Sequence, residues 1–374
     1  MKKNSFVVDQ KSFMTILSAM QPICNKRTTL DATTYIQFQV GHRELVLKST
    51  DLEISLQSSY QLTESTIEEA VSFLVSGKRL FDLVKELDGD ITFTLQDKQL
   101  AVQASTVQVS LNIRDAQDFP PFPERIENLM HMDALFLLNM LGKVGFLIPQ
   151  NNSNPALNGL YCEITSGGLK MTTTDGHCLA QVSTAKYMLD QNKKWLLPRR
   201  AVFELKKLLE SINNAAVFLG LCGNQLVFSG ESFNFFTKLL ADPFPQYELI
   251  LNKDGFKPAR VDKGQFIKAL RRSSCLLSGQ FIATQFEFKS HELHVSMQNK
   301  DVGKLAEKLS LEEFEGEAMD VRFYAPYLLS GMQAFADQGL QFHLKNSSKP
   351  IIFEADEQEC HMVYLVMPVS PTAV

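Results

Sequence analysis

The chain has 374 residues, 45% of them hydrophobic and 21% charged, with a formal net charge of −5. This composition excludes a disordered polymer, and no apolar run reaches the roughly 18 residues that a membrane span requires. The mild acidity gives no whole-chain attraction to nucleic acid, so any such attraction depends on where the cations sit.

In chain order, the pattern opens with an amphipathic helix in which Phe13, Ile16, Leu17 and Met20 fall at i, i+3, i+4 spacing. Alternating strands follow in YIQFQV and ELVLKSTDLEISLQ. A strand then runs into a helix in FLVSGKRLFDLVKEL, and a strand pair in ITFTLQDKQLAVQAS leads on to Phe119-Pro120. The series restarts with Ala134, Leu137, Leu138 and Leu141, passes through LYCEIT, LKMTTTDGHCLAQVS, WLLPRRAVFELKKLL and AVFLGLCGNQLVFSG, and reaches Phe244-Pro245. It restarts again with Phe266, Ala269 and Leu270, passes through TQFEFKS, ELHVSMQNKDVGKL, VRFYAPYLLSGMQAF and LQFHLKNSSKPIIFEA, and reaches Met367-Pro368. The chain is thus a threefold repeat at a shift of about 125 residues. Asp51, Asp175 and Asp301 take equivalent places. Ser76, Pro198 and Pro326 mark a strand-to-helix corner, where Pro suits the first helical turn.

Strands of period two need one buried face and each helix offers one apolar stripe. The expected fold is therefore α+β: three similar domains, each with two helices packed on antiparallel sheets. Joints are expected at Glu127 to His131 and Lys253 to Pro258, where polar residues interrupt the periodicity, giving domains of residues 1–128, 129–254 and 255–374.

TTTDGHCLA raises the question of catalysis, since Asp175 two residues before His177 suggests a base with its orienting carboxylate. No G-x-S-x-G, H-E-x-x-H or Walker-type loop accompanies it, and Asp-Gly also suits a hairpin corner with positive φ. His291 and His294 in HELHV are three apart in a strand, hence on opposite faces. Six cysteines (Cys24, Cys162, Cys178, Cys222, Cys275, Cys360) form no C-x-x-C pair and read as buried thiols of a reducing compartment. Neither metal nor cofactor is expected. The start MKKNSFVVDQ has no apolar stretch after its lysines, so a cytoplasmic location is expected.

Cations gather on helix faces. Lys268, Arg271 and Arg272 lie opposite Phe266, Ala269 and Leu270; Arg199, Arg200, Lys206 and Lys207 lie opposite Val202, Leu205 and Leu209. Lys78, Arg79 and Lys85 are balanced by Asp82, Glu86 and Asp88, and the helix after Pro326 has no positive residue. The cationic surface is expected to be moderate, and no base-reading motif accompanies it.

With NPALNGLYCEI, TTDGHCLA, DPFPQYELIL and the closing VYLVMPV, the whole chain resembles the bacterial DNA polymerase III β sliding clamp family. The resemblance implies a head-to-tail homodimeric ring, with helices lining a hole around double-stranded DNA held without sequence specificity. It implies a processivity factor without a catalytic site, tethering the replicative polymerase. It also implies an apolar groove for short peptides of polymerases, clamp loader and repair proteins. The matching wall residues are Leu157, Thr174, Gly176, His177, Cys178 and Leu179; the floor is Pro245 and Ile250; Tyr364, Leu365, Val366, Met367 and Pro368 supply the rest, with Pro350, Val369 and Ser370 at the edge. Cys178 stands where Arg is common in the family, and the five residues after Val369 are placed to drape over the groove's edge.

The same resemblance adds DNA contacts at Arg27 and at Asn151 to Asn154, with Asp31 placing a negative charge beside the first. It puts Val109 and Leu111 against Leu276 and Leu277 of the other subunit. The rival readings are a hydrolase using Asp175 and His177, and a repeat scaffold that never encloses DNA.

Overall fold

The computed structural model describes residues 4–123, 125–212, 216–278, 283–312, 314–357 and 359–369; Ser370 and the four residues after it, expected at the groove's edge, lie outside the described residues.

The first copy contains β1 (Ser5–Asp9), α1 (Gln10–Cys24), β2 (Tyr35–Val40), β3 (Glu44–Thr50), β4 (Ile54–Gln61), β5 (Val71–Ser76), α2 (Gly77–Lys85), β6 (Asp90–Gln96), β7 (Gln99–Ala104) and β8 (Val107–Asp115). The second contains β9 (Glu127–Asp133), α3 (Ala134–Gly145), β10 (Gly159–Thr165), β11 (Gly168–Thr174), β12 (Cys178–Thr184), β13 (Lys193–Pro198), α4 (Arg199–Glu210), β14 (Ala216–Cys222), β15 (Gln225–Ser229) and β16 (Phe233–Lys238). The third contains β17 (Lys257–Asp262), α5 (Lys263–Ser274), β18 (Thr284–Phe288), β19 (Glu292–Asn299), β20 (Gly303–Ser310), β21 (Met319–Phe323), α6 (Ala325–Gly331), β22 (Gly339–Leu344), β23 (Ile351–Glu357) and β24 (Cys360–Val366).

Strand order repeats as the elements do. First halves give β5-β2-β3-β4, β13-β10-β11-β12 and β21-β18-β19-β20; second halves give β1-β6-β7-β8, β9-β14-β15-β16 and β17-β22-β23-β24. The opening strand of each half therefore pairs in the sheet of the other half, which locks the two halves of a copy together. β4 pairs antiparallel with β16, β12 with β24 and the end of β8 with β5, merging the four-stranded pieces into sheets of 12, 8 and 4 strands.

By contact the chain divides into two compact units, residues 1–138 with 203–239 and residues 139–202 with 240–374. The first unit holds the 12-stranded sheet, and the second holds the other two.

Helix starts repeat too. Asp9, Asp133 and Asp262 each end a strand and accept the backbone N–H three residues on, at 2.9, 2.7 and 2.7 Å, which fixes the N-terminus of α1, α3 and α5. On α1, Phe13, Leu17 and Met20 are buried as their spacing predicts, and Phe13 meets Phe38 and Phe93 at 6.4 and 5.6 Å. Phe266 of α5 meets Phe286 and Phe353 in the same way, at 6.3 and 6.2 Å.

Two local expectations are corrected. Glu127 to His131 is not an interruption but most of β9, whose ladder to β14 supplies the order that its polar composition conceals. Pro198 is the last residue of β13 rather than the first turn of α4, whereas Pro326 does occupy the first turn of α6.

Candidate functional site

The stretch from Thr174 to Cys178 turns β11 into β12. Asp175 Oδ1 accepts the backbone N–H groups of His177 (2.8 Å) and Cys178 (2.7 Å). Thr174 Oγ1 donates to Cys178 O (2.6 Å) and accepts from Gly176 N–H (3.2 Å). Gly176 sits at φ +95°, the left-handed region where a Cβ is disfavoured. The exposed His177 ring stacks on Tyr327, 5.5 Å between centroids with planes 17° apart, and its carbonyl receives the N–H of Met367 at 2.9 Å. The carboxylate oxygen is thus an acceptor for its own turn and the imidazole is one face of a wall.

Asp51 makes the same pair of bonds between β3 and β4, to Glu53 N–H (3.0 Å) and Ile54 N–H (2.8 Å). Between β19 and β20 they are made by Asn299, to Asp301 N–H (2.9 Å) and Val302 N–H (3.3 Å). The expected equivalence of Asp301 is corrected: that turn carries one more residue, and the accepting side chain stands two positions earlier.

Beyond the corner, Leu179 pairs with Leu365, which in turn pairs with Ile352. With Val363 and Tyr247 they form a buried cluster, and Tyr161, Phe244, Leu251, Phe256 and Met367 pack around it half-buried. Leu157 is buried beside the corner, 3.9 Å from where a Cβ on Gly176 would stand. A cleft of about 380 Å³ opens nearby, lined by Leu249, Ile250, Phe256, Lys349, Pro350 and Met367 among others. Leu249 is 88% exposed, an apolar side chain that the chain itself leaves uncovered. Pro245 is exposed outside this lining; Pro368 and Val369 are half-buried, and Val369 N–H donates to Arg322 O (2.8 Å).

Three expected lining residues belong elsewhere. Successive side chains on a strand point to opposite faces, so Tyr364 and Val366 leave the groove face to Val363, Leu365 and Met367. Tyr364 fills the space against Gly331, where an added Cβ would come within 2.0 Å of the ring, and its hydroxyl donates to Tyr327 O (2.6 Å). Cys178, paired with Val366, is buried on that same face. Burial first, and Asp175 second, push its thiol well above the ordinary range, which makes it a poor nucleophile.

The DPFPQYELIL motif explains how the covering loop is fastened. Phe244 stacks on Tyr161 (4.7 Å, 7°). Tyr247 donates its hydroxyl proton to Glu163 Oε2 (2.7 Å) and accepts from Thr172 (3.3 Å), while Lys194 approaches Glu163 Oε1 at 3.2 Å. Burial raises the Tyr247 phenol further. At the loop's other end Lys253 donates to Glu354 (2.6 Å), whose second oxygen meets His343 (2.5 Å), and Lys345 donates to Asp254 O (2.8 Å). The hydrogen bond to His343 first, then that from Lys253, holds the Glu354 carboxyl down at about 2 against its desolvation. Tyr161, Phe244, Tyr247, Ile352 and Val363 were not singled out as site residues from sequence; the period-two reading of β10 is the signal that finds Tyr161, whereas β24 is apolar on both faces.

The cations fare unequally. Arg27, Lys78, Arg79, Lys268 and Arg271 are exposed, as is Asn151, whose neighbours Asn152, Asn154 and Asn158 tie their loop with side-chain hydrogen bonds. Arg199 donates to Ile148 O (2.9 Å), Lys206 lies 6.0 Å from the Phe203 ring, Lys207 pairs with Glu204 (3.3 Å), and Arg200 is half-buried. Arg272 is held by Glu307. Asp31, expected as an opposing charge, pairs with Arg114 at 2.6 Å. Val109 and Leu111 are half-buried on β8, and Leu276 and Leu277 half-buried just after α5.

Comparison with known proteins gives three family matches in series. The N-terminal, central and C-terminal domains of the DNA polymerase III beta subunit match residues 4–123, 132–246 and 249–370. The beta sliding clamp of Pseudomonas aeruginosa is 26% identical over 369 residues, covering 97% of this chain and 99% of that protein. That of Staphylococcus aureus is 22% identical over 373 residues, covering 97% and 98%. The crystal structure of the DNA polymerase sliding clamp from Bacillus subtilis shares the fold with a TM-score of 0.91 at 20% identity, covering 99% of this chain and all (100%) of that one.

Proposed function

Because the chain belongs to the DNA polymerase III β subunit, or β sliding clamp, family, we propose that it acts as a ring-shaped homodimer that encircles duplex DNA and tethers the replicative polymerase. Each protomer would contribute three domains, residues 1–128, 129–254 and 255–374, and the ring would work in the bacterial cytoplasm.

One observation carries the ring reading. Within the chain, the third strand of a first half pairs with the last strand of the next copy's second half: β4 with β16, then β12 with β24. The series requires a third such junction, and its two strands are both open. β20 ends its sheet, and β8 meets β5 only at Ile113 to Asp115, leaving residues 107–112 unpaired on that side among the described residues. Joining β20 of one protomer to β8 of another completes the series, and doing so twice closes a head-to-tail dimer. Val109, Leu111, Leu276 and Leu277 lie at that seam in this reading.

Inside such a ring, Arg27, Lys78, Arg79, Asn151, Lys268 and Arg271 meet phosphates, with Arg199, Arg200, Lys206 and Lys207 in support. Few free cations suit a ring that holds by topology, since each neutralised phosphate adds salt-dependent adhesion that opposes sliding. The cleft beside Leu179, Ile250 and Leu365 receives an apolar anchor of a partner peptide from polymerase, loader or repair proteins. One buried Leu or Phe contributes roughly 1.5 to 3 kcal/mol, enough for exchangeable binding.

Loading the protein onto nicked circular DNA and then cutting the circle tests this. Release on cutting is the expected result; retention on linear DNA with free ends would instead indicate ordinary adhesion or a scaffold that does not enclose the duplex.

A further inference from the structure

Arg272 was grouped with the DNA-facing cations, but its surroundings assign it a different task. We propose that Arg272 is a positioning residue of the ring seam, acting through Glu307 to fix the Leu276-Leu277 pair against the β20 edge. The inference rests on the ring reading above.

The guanidinium leaves the last turn of α5 and meets the Glu307 carboxylate with both forks: Nε lies 3.1 Å from Oε1, and Nη2 bonds Oε2. Glu307 belongs to β20, the strand whose outer edge is unpaired among the described residues. A second tie lies beside it. Asn299, 4% exposed at the end of β19, donates through Nδ2 to Leu276 O (2.7 Å) and Ser278 Oγ (2.9 Å). The end of α5 and the residues that follow it are thereby tied to the β19–β20 hairpin at two points.

Geometry matters more than charge at this seam. The open stretch of β8, VQVSLN, has no ionisable residue, so Lys304 and Lys308 of β20 find no carboxylate along it. Cohesion there falls to the backbone ladder and to aliphatic contacts, both of which demand correct placement. A two-pronged Arg–carboxylate pair fixes orientation as a point charge cannot, and a guanidinium so engaged has fewer donors left for phosphate.

Sedimentation equilibrium of the full chain reads the effect. Each ring has two seams, so Arg272→Ala, at roughly threefold per seam, is expected to raise the dimer dissociation constant about tenfold. Glu307→Gln should do the same, the double variant Arg272→Ala/Glu307→Ala should add little, and Arg272→Lys should restore only part. Lys268→Ala is the contrast: reduced retention on circular DNA with an unchanged dimer constant. The proposal is overturned if Arg272→Ala dimerises like the unaltered chain while its DNA retention loses salt dependence, because Arg272 would then be a phosphate contact. An unaltered chain that stays monomeric at every concentration would instead overturn the ring reading itself.

Discussion

At Thr50 to Ile54 in the first unit and Thr174 to Cys178 in the second, the chain turns one corner with the same bonds. An Asp accepts two backbone N–H groups and a Thr hydroxyl closes the loop. The contents differ. Leu52 takes the left-handed position at φ +74° where the second unit has Gly176. Ser55, bonded to Thr50 Oγ1 at 2.8 Å, stands where the second unit has Leu179. Phe236 lies beside Ser55, and the Phe122 ring packs edge-on against it at 5.4 Å. Beside Leu179 the chain leaves a cleft and a bare Leu249. The corner is therefore architecture common to both, and what sets the second apart is the apolar ladder next to it and the surface that the chain declines to cover.

The sharpest way to break this comparison is to remove both carboxylates. Asp51→Ala and Asp175→Ala should each destabilise by about 2 to 4 kcal/mol, since each strips two backbone N–H groups of a charged acceptor. Urea denaturation reads that loss. Only the second should also weaken binding of a labelled peptide with Leu and Phe anchors, measured by fluorescence anisotropy; equal weakening by Asp51→Ala would erase the distinction.

Next in size is Leu179→Ser, which gives the second corner the residue of the first. Leu179 packs in the buried cluster against which Phe256 and Met367 of the cleft lie, so the change should disturb that lining and weaken peptide binding by roughly tenfold. Unchanged affinity would remove Leu179 from the site.

The smallest effect concerns the loop's fastening. Glu354 is held near 2 from an ordinary 4.5, so its contribution is fully present above about pH 4.5 and fades as pH falls toward 2. The difference in thermal stability between Glu354→Gln and the unaltered protein should shrink across that window. A difference that stays constant or widens on acidification would show that the carboxylate is not the fastening group.

Helix faces were legible because one turned to the core and the other to solvent: Phe13, Leu17 and Met20 are buried where their period puts them. The groove was harder. In MVYLV both faces of β24 are covered, so no alternation of polar and apolar residues marks which side carries Val363 and Leu365 and which carries Tyr364 and Val366. The Asp301 assignment failed by two residues because Asn299 serves the N–H groups two and three residues on, as Asp51 and Asp175 do, and an amide in place of the carboxylate hid the equivalence. Arg272 with Glu307, and Asp31 with Arg114, are 35 and 83 residues apart in sequence. No local pattern reports that a charge is already matched.

The open rows of N–H and C=O groups on β8 and β20 carry a cost for a protomer on its own. Val107 on β8 is 43% exposed, and a bare strand edge with apolar side chains is a template onto which other chains can add indefinitely. Closing two such edges against each other in a finite assembly leaves neither available for end-to-end polymerisation. Substitutions that loosen the contact should therefore first show as lost solubility on concentration, before any change in the stability of the individual sheets.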